Sequence, residues 1–152
     1  MYLLALLFPS AAISPDAGEA LSSGDCARAV SLLPDPTVDA ERLAIGRCLI
    51  RLERPREALE ILQPALRGGV ADYAALLAGE AGLMLGRPAE AADVLGLVNL
   101  SGESGQRAMM LRGRALIESG QYIEGRDVLR GLLTGSLAEA GHIPSPLGAD
   151  PA

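Results

Sequence analysis

The sequence predicts an all-α fold: a right-handed solenoid of antiparallel helix pairs, about four units long, with no sheet. Three observations lead there. Segments beginning GRCLIRLERPREALEIL at Gly46, GEAGLMLGRPAEAADVL at Gly79 and GRALIESGQYIEGRDVL at Gly113 align without gaps, at spacings of 33 and 34 residues. Internal repetition at that period is a signature of stacked helical units. Glycine or proline falls in each unit where a short turn would join two helices: Glu53-Arg54-Pro55, Gly86-Arg87-Pro88 and Gly120-Gln121-Tyr122. Finally, no stretch of four or more residues alternates with the period of a strand.

The elements follow in order. Helices are expected over 15–23, 25–33, 37–52, 55–67, 71–85, 88–99, 105–119 and 121–134. The first two form a degenerate copy of the unit, carried by Ala17, Gly18, Glu19, Ala20 and Leu21, then Gly24-Asp25, Ala29 and Leu33. Asp16, Asp25, Asp35 and Asp39 stand at helix starts, where a carboxylate caps free N–H groups. In the full units the first helix carries Gly46, Gly79 or Gly113 in its interior. Glycine there costs about 1 kcal/mol relative to alanine, so its recurrence in register implies a close helix–helix approach. Gly86 and Gly120 suit left-handed helix caps, and Pro55 and Pro88 suit the first turn of the next helix. The second helices run apolar at helical spacing through Ala58, Leu59, Ile61 and Leu62, and through Ala91, Ala92, Val94 and Leu95. Small residues twelve positions after each repeat glycine, Ala58, Ala91 and Gly125, allow tight packing within a pair, and a leucine follows four further on: Leu62, Leu95 and Leu129. Linkers are expected at 34–36, Gly68-Gly69 and 101–104. In domain terms, 1–14 is an apolar leader, 15–134 the repeat domain, and 135–152 a Gly/Pro-rich tail or linker.

Composition limits the function. The 152 residues are 49% hydrophobic and carry a net charge of -6, which argues against disorder and against nucleic-acid binding. All 13 basic residues are arginine, so Schiff-base chemistry and a P-loop lysine are excluded within this chain. Aromatics are 3% of the chain and tryptophan is absent, so stacking platforms for bases or sugars are scarce. His142 stands in a Gly/Pro-rich stretch without nearby partner residues. Glu57 with Glu60, and Glu90 with Asp93, read as solvated helix faces rather than acid–base pairs, and Met109-Met110 as core or groove filler. No catalytic, cofactor-binding or metal-binding residue is assigned.

The N-terminal residues 1–15 hold no charged side chain. An apolar run over 2–8, then Pro9-Ser10-Ala11-Ala12, resembles the apolar and cleavage regions of a secretory signal, with a cut after Ala12. The basic region of such signals is missing, and a simple apolar cap helix is the alternative. The run is shorter than the about 20 residues a membrane span needs. Export to the periplasm is the expectation, cytoplasmic residence the alternative. Cys26 and Cys48 read as two small buried hydrophobes; pairing would need their Cα atoms within about 7 Å. At the other end, Val128, Leu132 and Leu133 are expected to leave an apolar edge uncovered, and Asp150-Pro151-Ala152 reads as the start of a further helix. The chain therefore reads as the N-terminal portion of a longer protein, or as one whose edge meets a partner.

The repeat resembles the tetratricopeptide family over about residues 15–134, on Gly46, Leu49, Ala58, Leu62 and Ala65; Gly79, Ala91 and Leu95; and Gly113, Leu116, Gly125 and Leu129. The family's large aromatics are replaced by Arg42, Ala75 and Met109 and by Leu49, Gly82 and Leu116. The resemblance implies a concave face built from the first helices, which binds partners. Its side chains would be Leu43, Arg47, Ile50 and Arg51; Tyr73, Leu76, Glu80 and Met84; and Arg107, Met110, Arg114 and Glu118. Arg47, Glu80 and Arg114 share one register. They read either as a groove for an extended peptide or a carboxylate, with Arg47 and Arg114 as bidentate donors, or as a solvated face with salt bridges between units around Glu80. The family's chaperone-tail clamp uses lysine and asparagine at these places; here there is no lysine, and Asn99, the one asparagine, is in a second helix.

The export-like segment with degenerate helical pairs is also similar to the helical region of bacterial soluble lytic transglycosylases. That resemblance implies a non-catalytic N-terminal region of a peptidoglycan-cleaving parent, and the family's catalytic Glu-Ser segment is absent here. The leading expectation is a non-catalytic scaffold for protein–protein contact in the bacterial envelope, with a protein or peptide partner and no cofactor. The transglycosylase region, reaching peptidoglycan through a longer parent, and a cytoplasmic adaptor are the alternatives.

Overall fold

The computed structural model describes residues 14–99 and 101–140, with side chains described as far as Thr134. The expected signal-like segment, His142 and the Asp150-Pro151-Ala152 helix start lie outside the described residues. Eight α-helices follow one another: α1 (Pro15–Ser23), α2 (Cys26–Leu32), α3 (Asp39–Arg51), α4 (Pro55–Leu62), α5 (Ala71–Met84), α6 (Pro88–Gly96), α7 (Gly102–Glu118) and α8 (Tyr122–Ala140). A 3-10 turn over Pro64–Arg67 extends α4. No strand occurs among the described residues. Each helix packs on the next, and α3 also meets α5, as α5 meets α7.

The turns inside the pairs repeat one hydrogen-bond pattern. Gly24, Glu53, Gly86 and Gly120 all have positive φ, at 76°, 57°, 68° and 89°. At Glu53 the N–H donates to the Ile50 carbonyl and the Arg54 N–H reaches back to Leu49. Gly86 and Arg87 repeat this on Leu83 and Gly82, Gly120 and Gln121 on Ile117 and Leu116, and Gly24 and Asp25 on Leu21 and Ala20. This is the Schellman closure, which satisfies the last carbonyls of the outgoing helix. Glu53 adopts the left-handed conformation without being glycine, at a cost of roughly 1–2 kcal/mol. Downstream, Asp25 caps α2 by accepting from the Arg28 N–H (3.0 Å). At the equivalent position of later units, Arg54 pairs with Glu57 and Arg87 with Glu90. The hydrogen bond from Arg54 holds the Glu57 carboxyl below the usual carboxylate range.

Packing within pairs depends on missing side chains. A Cβ at Gly46 would lie 2.7 Å from Leu62 Cδ2, and one at Gly113 would lie 2.6 Å from Leu129 Cδ2. Gly79 meets Leu95 in the same way. Each repeat glycine is thus the hollow that receives the repeat leucine sixteen residues on. Gly125 is tighter still, because its Cβ would meet backbone, the Gly113 carbonyl at 2.9 Å, as well as Ile117. The main core joins α2 to α5 through Cys26, Ile45, Leu49, Leu62 and Leu77, and alanines fill much of the rest. A second cluster around Leu83, Ala92 and Leu116 is backed by Val128 of α8.

Several expectations are corrected. Cys26 and Cys48 are not two separate apolar fillers: they form a disulfide, with Cα atoms 4.9 Å apart. Packing α2 on α3 brings them together, a proximity that a separation of 22 residues does not announce. The last helix runs beyond Thr134 to Ala140, because Leu137-Ala138-Glu139-Ala140 are strong helix formers and a lone Gly135 does not stop a helix. Val128 is partly buried, so that part of the expected open edge is covered. Met109 and Met110 are 40% and 51% exposed, and neither is in the core. Ser14, placed in the leader by sequence, caps α1 by accepting from the Ala17 N–H (3.3 Å). Glu41, 3% exposed, turns its carboxylate back onto the N–H groups of Thr37 (2.9 Å) and Val38 (3.4 Å), and so closes the bend before α3.

Three outcomes are expected. Gly125→Ala lowers stability by about 1–3 kcal/mol in urea denaturation, because backbone must move to admit the methyl group. Glu53→Gly raises it by up to about 1 kcal/mol, since relief of the left-handed strain exceeds the added chain entropy of glycine. Glu57 titrates, by carbon-detected NMR, below the range of a free glutamate, and Arg54→Ala returns it there. Its pKa is depressed in the folded chain, so the stabilisation it carries is present above the unfolded-state glutamate pKa and is lost as pH falls through the folded one.

Candidate functional site

Helices α3, α5 and α7 together bound an open cleft of about 320 Å³. That volume is at the small end of ligand-sized sites. From α3 come Leu43, Arg47, Ile50 and Arg51; from α5, Tyr73, Leu76, Leu77 and Glu80; from α7, Ser104 and Arg107. Helical spacing explains the sharing. Residues 43, 47, 50 and 51 lie on one face of α3, and 73, 76, 77 and 80 on one face of α5. The floor is aliphatic, with Ile50, Leu76 and Leu77 buried, while Tyr73 is 46% exposed.

The charge of the cleft is opposite to that of the chain. Three guanidiniums face it against one carboxylate, in a protein of net charge -6. Arg107 is committed: its Nη2 donates to both carboxylate oxygens of Glu80 at 2.7 Å, tying α7 to α5. Arg47 and Arg51 are exposed, and neither guanidinium makes a hydrogen bond or ion pair with any described residue. They stand four residues apart on one helix, where like charges repel by a few tenths of a kcal/mol. A second hollow, of about 380 Å³, adjoins the first and shares Leu43, Arg47 and Arg51 with it. Its other side is Leu21 and Gly24 of the N-terminal turn together with the Cys26–Cys48 disulfide.

Of the expected face, Leu43, Arg47, Ile50, Arg51, Tyr73, Leu76, Glu80 and Arg107 are brought together. Met84, Met110, Arg114 and Glu118 do not line this cleft. Arg114 instead pairs with Glu118 at 2.6 Å along its own helix. The register stripe therefore ends differently from its periodicity. Glu80 bonds the arginine 27 residues on, not the one 34 residues on, because an arginine two turns earlier on α7 reaches it. The expected salt bridge at Glu80 is present, to α7, and the arginine that lines the cleft beside Arg47 is Arg51 rather than Arg114.

Sequence reasoning missed Leu77, Ser104 and the disulfide wall. Ser104 falls in the linker expected over 101–104, but α7 starts at Gly102, with Glu103 well placed in its first turn. Away from the cleft, Arg112 lies over Gly96, with its Nε buried and unpartnered among the described residues. No three His, Cys, Asp or Glu side chains among the described residues are grouped to hold a metal ion. No described helix is long and apolar enough to cross a membrane. Compared with known proteins, the chain matches no family model, none of the curated proteins and no solved structure.

Proposed function

We propose that the chain is a non-catalytic helical-repeat scaffold for protein–protein contact, its helices stacked as a right-handed solenoid of antiparallel pairs. The cleft between α3, α5 and α7 takes an extended partner segment. The contacts of α3 with α5 and of α5 with α7 support the stacking, since they join first helices of successive units. The observation that carries the docking reading is the pair of unpartnered guanidiniums, Arg47 and Arg51, above an aliphatic floor. Two repelling cations without a partner of their own are neutralised when a carboxylate binds, and the arginine fork suits that geometry. Leu43, Leu76 and Leu77 offer apolar seats for neighbouring side chains of an extended segment. The disulfide favours an oxidising compartment, which supports the reading of an exported protein of the envelope.

Selection of short random peptides against the whole protein tests this. Recovered peptides carry Asp, Glu or a free C-terminal carboxylate. Their affinity falls tenfold or more, on the order of 1.5–3 kcal/mol per charged hydrogen bond, in Arg47→Gln/Arg51→Gln. Arg126→Gln, on α8, binds as the parent does. Peptides whose affinity ignores the two α3 arginines overturn the reading.

A further inference from the structure

We propose that the Cys26–Cys48 disulfide is a redox latch that holds the N-terminal helix pair, α1–α2, against α3 and so sets one wall of the cleft. The functional consequence rests on the docking role of that cleft; the latch itself rests on the fold alone.

Apart from this bond the helix pair is held by apolar packing alone. Its main contact with the rest of the chain runs from α2 to α3. Its fully buried side chains are Ala17, Ala20 and Ala29, each a single methyl group, beside Cys26, and its larger apolar side chains, Leu21, Val30 and Leu33, are only partly buried against the core. Among the described residues no hydrogen bond or ion pair joins 14–33 to α3 or anything beyond it; the Arg28–Glu19 pair, at 4.0 Å, lies within the helix pair. The bond is therefore the one cross-link that adds to apolar packing between α1–α2 and α3. With its ends 22 positions apart, it shifts the local attachment equilibrium by on the order of a hundredfold.

The bond is also placed where a reductant reaches it. Cys26 and Cys48 are 6% and 5% exposed, but both border the open hollow beside the cleft. Arg47 and Arg51 flank the same hollow and favour an incoming thiolate. A dithiol reductant suffices. Its thiolate attacks one sulfur, the Cys26–Cys48 bond breaks, and the other sulfur leaves as a thiolate and takes a proton. The second thiol of the reductant resolves the mixed disulfide. The protein gains two electrons and two protons as two thiols, and the reductant leaves as a disulfide. Leu21 and Gly24 then no longer wall the hollow, and Arg51, whose Nη1 lies 3.8 Å from the place of a Gly24 Cβ, loses its neighbour.

Hydrogen exchange by mass spectrometry on the whole chain tests the latch in three states: oxidised, reduced by dithiothreitol without denaturant, and reoxidised. The expected result is exchange over 15–33 faster by about a hundredfold on reduction, α5–α7 within about twofold, and recovery on reoxidation. Cys26→Ala/Cys48→Ala reproduces the reduced pattern without reductant. A bond that yields to dithiothreitol only in denaturant overturns the latch. So does unchanged exchange over 15–33, or acceleration through every helix. No partner is needed for this measurement, so failure of the latch leaves the docking reading standing. Peptides that ignore Arg47 and Arg51 would remove the docking reading and leave the latch.

Discussion

The seating of one leucine on one glycine, repeated along the chain, is the contact on which the architecture depends. Leu62 on Gly46, Leu95 on Gly79 and Leu129 on Gly113 set how closely the two helices of each pair approach. Once that distance is set, only small side chains fit between them, and Ala58, Ala91 and Gly125 occupy those places. The core is consequently rich in alanine and nearly free of aromatic rings. Its stability comes from many small, well-fitted contacts rather than from a few large anchors.

The same repetition builds the cleft. The same left-handed closure ends α3 and α5, and both helices turn side chains into one cleft. A cationic ridge on α3 then faces a carboxylate on α5, and a longer arginine on α7 spans back to that carboxylate. The Glu80–Arg107 pair is half-exposed, its side chains at 24% and 54%, so its value lies more in orientation than in stability. It leaves the positive charge of the cleft at the α3 end, beside the disulfide.

Much of this was legible in the sequence because glycine, proline and leucine report backbone geometry directly. Gly86 and Gly120 announced left-handed caps, and Pro55 and Pro88 announced helix starts. Glu53 shows the limit of that code: the turn it makes is the same, but no glycine marks it. Long-range pairings were less legible. Two cysteines at an uninformative spacing become partners only when α2 packs on α3, and Glu80 selects Arg107 because side-chain reach, not repeat period, decides an ion pair. The end of α8 was not legible either, because Gly135 alone does not stop a helix that strong helix formers continue.

Tyr73 has one further consequence. The chain has no tryptophan, and its three tyrosines are Tyr2, Tyr73 and Tyr122. Tyr122 lies on α8, away from the cleft, while Tyr73 stands half-exposed on the cleft wall. The ultraviolet emission of this protein is therefore a tyrosine signal, and one of its few sources sits where a partner segment would rest. On the proposed docking, Tyr73 is an optical reporter of occupancy that needs no added label.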